Sequence, residues 1–261
     1  MDPKALEQAF QKYPQCRVVM VANLYGTPAK LDEIKAICDS HGAILIEDAA
    51  ESLSSTYKGK QTGTFGKYNV ISFNGNKIIT TSGGGMLLSD DEEAIRKARF
   101  WATQSRDPAP WYQHSEIGYN YRMSNVVAGI GRGQLLHLDA HKALKKQIYA
   151  RYQEGLQGLP VSMNPFTPDS DPNCWLSCIL IDRNCSVKPM EVMERLQQEN
   201  IESRPIWKPM HLQPVFADRD YISVNGDVGA DIFARGLCLP SDIKMTVEQQ
   251  ESVMQVIRSC F

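Results

Sequence analysis

Apolar residues fall in short blocks through the first half of the chain and in helical stripes further on. The β-branched block 16–22 predicts a buried strand. Leu31, Ile34, Ile37 and Cys38 share one face of a helix that Gly42 ends. Blocks 43–47 and 70–73 predict two more buried strands, and 85–88 a further one. Ser89-Asp90-Asp91-Glu92 reads as a capping box for a helix running toward Trp101. Strands alternating with helices imply an α/β fold with a mostly parallel sheet and right-handed crossovers.

From Met123 to about Leu156 the pattern is helical. The stretch 158–172, rich in Pro and Asp, is the best candidate boundary. Beyond it come a strand at 174–181, a helix near 188–199 and a last helix opened by Thr246-Val247-Glu248-Gln249. The expected division is a large domain over 1–156 and a smaller α+β domain over 157–261. A length of 261 residues suffices for both.

Charge and composition narrow the function. With 28 Lys+Arg against 30 Asp+Glu the net charge is −2, and no basic stripe is present, which argues against nucleic acid as a partner. No apolar run is long enough to cross a bilayer, and the N-terminus lacks the apolar core of a signal peptide. The seven cysteines are odd in number and scattered, which fits reduced thiols and a cytoplasmic location. Cys174 and Cys178, or His137 and His141, have spacings a metal tolerates, but neither pair has further ligands in view. No metal is expected.

Ligands of parallel sheets sit beyond the carboxyl ends of the strands. Asp48 lies just past one predicted strand, and Lys77 follows another that ends at Phe73. An acid and an amine meeting there would suit pyridoxal 5'-phosphate (PLP): the lysine forms a Schiff base, and the acid keeps the pyridine nitrogen protonated. On spacing alone, a solvated Asp and a solvated Lys in two loops fit as well. The run Ser82-Gly83-Gly84-Gly85 reads as a tight turn needing positive φ. Arg204-Pro205-Ile206-Trp207-Lys208-Pro209-Met210-His211 places cations and an aromatic ring in a stiff loop. Such a loop could hold a nucleotide-sugar, with charges on the diphosphate and Trp207 on a ring, or be a surface loop packed by Trp207.

Four words, in order and at compatible spacing, resemble the PLP-dependent sugar aminotransferases of the DegT/StrS type. They are Asn23-Leu24-Tyr25-Gly26-Thr27-Pro28, Ile46-Glu47-Asp48-Ala49-Ala50-Glu51, Ile71-Ser72-Phe73-Asn74-Gly75-Asn76-Lys77 with the glycine turn after it, and Gly118-Tyr119-Asn120-Tyr121-Arg122-Met123. Together they span nearly the whole chain, and the lysine stretch looks most like the EpsN-type members. The resemblance implies a PLP-transferase large domain with a smaller C-terminal domain. It implies Lys77 as Schiff-base residue and proton shuttle, Asp48 on the pyridine nitrogen, and Ser72 on the cofactor phosphate. Asn120 would reach the phosphate site of a second subunit in a homodimer. Trp207, Lys208 and His211 would belong to the substrate-side loop. The family usually has Gln where this chain has Glu51, near the cofactor's 3'-oxygen, and a carboxylate there would repel that oxygen unless protonated or swung away.

The implied reaction moves an amino group, from an amino-acid donor such as glutamate, to a keto-sugar nucleotide. A sugar dehydratase of the same superfamily would characteristically carry His in place of Lys77. Family chains begin before the equivalent of Met1, so the large domain is expected to be incomplete at its N-terminus. It would lack a phosphate-cupping helix start and a ring-stacking aromatic. The alternative from another class is therefore a catalytically silent subunit or binding module of the same fold.

Overall fold

The computed structural model describes all 261 residues. Asp2 caps the first helix, α1 (Pro3–Lys12), accepting from the Lys4 and Ala5 amides. The chain continues through β1 (Val18–Ala22), α2 (Leu31–Ser40), β2 (Ile44–Asp48), the short strands β3 (Thr56–Tyr57) and β4 (Lys60–Gln61), then β5 (Tyr68–Ser72) and β6 (Gly85–Leu88). Strand order is β1-β2-β5-β6, with the first three parallel and β6 antiparallel to β5.

This sheet is covered on one face. Val19, Val21 and Leu45 pack with Leu6 and Phe10 of α1 and with Leu31, Ile34 and Cys38 of α2. The alternate residues point the other way, and Met20 is 62% exposed. The β-branched block 16–22 reads as a buried strand. The structure corrects this to a half-buried strand, buried at every second residue. Met86 and Leu87 of β6 are likewise exposed.

Helix α3 (Glu92–Ala102) starts two residues later than the predicted capping box, whose cap is Ser89. Asp91 caps it, accepting from the Ala94 amide, while the Ser89 hydroxyl accepts from the Asp91 amide. The predicted helical stretch after Met123 is two helices, α4 (Asn125–Leu135) and α5 (Leu138–Gly155), broken at Leu136 and His137.

The remaining elements are β7 (Val161–Met163), β8 (Ser170–Asp171), β9 (Ser177–Ile181), α6 (Pro189–Gln198), β10 (Arg204–Pro205), α7 (Val228–Arg235), β11 (Gly236–Leu239) and α8 (Val247–Arg258). Four of them form an antiparallel sheet in the order β10-β11-β9-β7. Its core joins Ile179, Ile181, Leu237 and Leu239 to Val192 and Leu196 of α6 and Val253 and Ile257 of α8. Ile148, Tyr152 and Leu156 of α5 complete it. Thr246 and Gln249 form the capping box of α8 that their spacing predicts. Cys178 and Cys238, distant in sequence, are register partners with sulfurs 3.5 Å apart, and all seven cysteines are free thiols. Strand β8 reaches back to pair with β3, which joins the two halves of the chain.

Candidate active site

Parallel pairing puts the carboxyl ends of β2 and β5 at one edge, and alternation decides which side chains face the open side. Glu47 points into the covered face and is fully buried. It accepts from Asn23 Nδ2 and the Gly63 amide, both at 2.8 Å, and from the Phe65 amide at 2.9 Å. Those bonds fix the loops around the edge. Asp48 therefore takes the other face. Its Oδ1 accepts from the Ala50 amide at 3.0 Å, and Oδ2 keeps its acceptor capacity. Ser72 ends β5, where its hydroxyl accepts from the Asn74 amide at 3.2 Å and retains its own proton to donate.

Lys77 follows in the loop after β5, held by its amide on the Asn74 carbonyl. On spacing alone, a solvated lysine in a loop fits as well as a cofactor lysine. Instead the side chain turns inward and is 11% exposed. Its Nζ lies 3.3 Å from Glu51 Oε1 and 4.3 Å from the ring centroid of Trp175. Burial pushes the Glu51 carboxyl above its ordinary value, and this outweighs the downward pull of the Tyr25 amide on Oε2 at 2.7 Å and of the lysine. The turn after Lys77 is left-handed at Ser82 and Gly84, as the glycine run predicts.

Trp175 is the residue that sequence reasoning missed. Its indole N–H donates to the Asn76 carbonyl at 2.7 Å, tying the lysine loop to the second half of the chain. In sequence it sits inside an apolar run that reads as strand core. Its one sign was a large aromatic with a polar N–H, which needs a partner when buried.

The loop 204–211 divides. Trp207, 47% exposed, packs edge-on against Tyr25 and Trp175, with centroids at 5.4 and 6.0 Å, and so borders the lysine site. Lys208 is exposed. His211 turns to Asp227, Nε2 to Oδ2 at 2.7 Å, and stacks on Tyr221 with centroids 3.7 Å apart. Asn120 sits on an exposed arm, bridged to Thr103, and makes no hydrogen bond to Lys77, Asp48 or Ser72 of the same chain. The rings of His137 and His141 stack, and His141 Nδ1 contacts the Ile78 carbonyl at 3.0 Å.

The edge thus gathers an inward amine, a carboxylate oxygen, a hydroxyl proton and a buried carboxyl under aromatic rings. The chain as a whole is similar to known proteins. EpsN of Bacillus subtilis, assigned as a pyridoxal phosphate-dependent aminotransferase, is 48% identical across 100% of this chain and 69% of its own. GDP-perosamine synthase of Vibrio cholerae is 32% identical, covering 94% of this chain and 66% of its own. The chain spans about two thirds of the length of these relatives. Among solved structures, DesV of S. venezuelae superposes with a TM-score of 0.84 at 26% identity, over 99% of this chain and 68% of that one. PseC of Helicobacter pylori shares the fold, with a TM-score of 0.88 at 19% identity over 100% of this chain and 70% of that one. The family profile matches residues 1–258, and the chain belongs to the DegT/DnrJ/EryC1/StrS aminotransferase family.

Proposed function

We propose that this chain binds PLP and substrate as an aminotransferase that transfers an amino group from an amino-acid donor, glutamate by preference, to a keto-sugar nucleotide. The observation that carries the reading is the convergence of Lys77, Asp48, Ser72 and Glu51 at one sheet edge, beside Trp175 and Trp207.

The residues present fit the cofactor. Lys77 Nζ is the covalent anchor, an inward amine at the carboxyl end of the sheet. Asp48 Oδ2 supplies the acceptor that a protonated pyridine nitrogen requires, and the Ser72 hydroxyl supplies a donor for a phosphate. When bound, PLP supplies an electron sink for charge developing at the substrate's amino-bearing carbon. Lys77 Nζ holds the proton that must move at that carbon, and Glu51 Oε1 orients the amine. Burial raises the affinity of Glu51 for a proton, which lessens the repulsion its carboxyl would exert on a phenolate-like oxygen. Trp207 offers a ring face and Lys208 a charge for the nucleotide-sugar, and His211, further along the same loop, is held by Asp227. The Asn120 arm completes the phosphate site of a second copy in a homodimer. We take residues 1–156 as the cofactor domain and 157–261 as the smaller one, with Ile148, Tyr152 and Leu156 of α5 lending their side chains to the smaller domain's core.

The test is the first half-reaction. The chain is loaded with PLP and mixed with glutamate, and 2-oxoglutarate is measured against an Asp48→Asn control. One equivalent per loaded site supports the reading. A chain that is loaded but releases no keto acid from any amino acid refutes it.

A further inference from the structure

Tyr25 has no assigned role in the site, yet its backbone there is left-handed. It adopts φ 55 and ψ 24, in the left-handed region that costs a bulky L-residue roughly 1 kcal/mol or more. Such a conformation persists only when its surroundings impose it. Here they do. Gly26 follows at φ +82, packed so closely on Asn173 that a Cβ would strike its side-chain oxygen. The Ser55 hydroxyl donates to the Gly26 carbonyl at 2.8 Å. Asn173 Nδ2 in turn donates to the carbonyls of Glu51 and Leu53 at 2.8 and 2.9 Å.

The strained turn sends two parts of Tyr25 to two halves of the site. Its backbone N–H donates to Glu51 Oε2 at 2.7 Å, and the other oxygen of Glu51 faces Lys77. Its phenol oxygen accepts from the Trp207 amide at 2.8 Å. Its ring lies nearly parallel to Trp175, at 6.4 Å and 20°, and meets Trp207 edge-on. One residue therefore touches the carboxyl that orients the lysine, the ring that covers the lysine, and the backbone of the substrate-side loop.

We propose that Tyr25 is a positioning residue: it fixes the Trp207 loop relative to Glu51 and Lys77, so that a nucleotide-sugar held by Trp207 is set in register with the lysine amine. The proposal rests on the function proposed above. Tyr25→Phe keeps the ring and the backbone N–H and deletes only the oxygen that accepts from Trp207. Tyr25→Gly suits the left-handed backbone and removes the whole side chain, so any loosening it causes cannot be assigned to backbone strain.

The experiment has two readouts on the full chain. Hydrogen exchange without ligands should show the Trp207 amide exchanging roughly fivefold faster or more in both variants, the loss expected for one hydrogen bond, with α8 unchanged. Steady-state kinetics of the loaded enzyme should show Tyr25→Phe raising KM for the nucleotide-sugar several-fold, while kcat and the half-reaction with the amino donor change less than twofold. Wild-type exchange at Trp207 in both variants overturns the proposal. So does faster exchange with an unchanged KM, which would leave Tyr25 a merely structural role. If the chain does not transaminate at all, the proposed function fails on that assay, while the exchange result still reports whether Tyr25 holds the loop.

Discussion

Lys145 offers the sharpest quantitative test of how the site is supported. It lies on α5, 9% exposed, and donates to the Trp175 carbonyl at 3.0 Å and to the Ser241 carbonyl. Burial is the main influence on its amine; Asp242 opposes it, and the result is a fall from 10.5 to about 8. The folded state thus releases this proton more readily than the unfolded chain. Below about pH 8 the folded protein carries the whole penalty of a buried charge. As pH rises from about 8 to 10.5, the unfolded state binds more protons than the folded one, and stability increases. A gap of that size corresponds to about 3 kcal/mol, at roughly 1.36 kcal/mol per unit. Lys145→Met removes the titration but strands two carbonyl acceptors, at a cost of roughly 1–3 kcal/mol each. The two effects oppose each other near pH 7, so the variant should unfold within about 3 kcal/mol of the parent there. Urea unfolding of both proteins from pH 7 to 10.5 should then show the parent gaining about 3 kcal/mol relative to the variant. Difference curves flat across that range would refute the assignment of a penalised buried ammonium behind Trp175.

Two further outcomes follow from the site. Asp48→Asn should retain some PLP, because Lys77 and Ser72 remain, but lose nearly all transamination; near-normal turnover measured by keto-acid release would exclude Asp48 as the partner of the pyridine nitrogen. Gly26→Ala combines a strained φ with a Cβ that meets Asn173, so it should lower stability by about 2–4 kcal/mol, read as a shift in the urea midpoint. An unchanged midpoint would mean the Tyr25–Gly26 turn is not held as the structure shows.

Local signals survived folding where one segment carried all the information. The Thr246–Gln249 capping box, the buried face of α2 and the left-handed turn after Lys77 needed only neighbours in sequence. Motif words brought Asp48, Ser72, Lys77 and Glu51 to attention, and parallel pairing of β2 with β5 brings their loops to one edge. What the sequence did not reveal depends on which face of an element finds a cover. The blocks 16–22 and 43–47 read as buried strands, while the structure fully buries only alternate residues of each. Trp175 and Tyr25 were illegible as site residues for a related reason. Their roles arise where segments distant in sequence meet, through Asn76, Glu51 and the Trp207 amide, and no spacing rule reports such meetings.

The central claim is that Lys77 is the amine that holds the cofactor. It is tested by adding PLP to the full chain, reducing with borohydride, and mapping the modified peptide by mass spectrometry, with Lys77→Ala alongside. The geometry predicts a near-ultraviolet or visible band in the parent, a reduced phosphopyridoxyl group on Lys77, and loss of both in the variant. A stable adduct on another lysine, or a band that persists in Lys77→Ala, would contradict it.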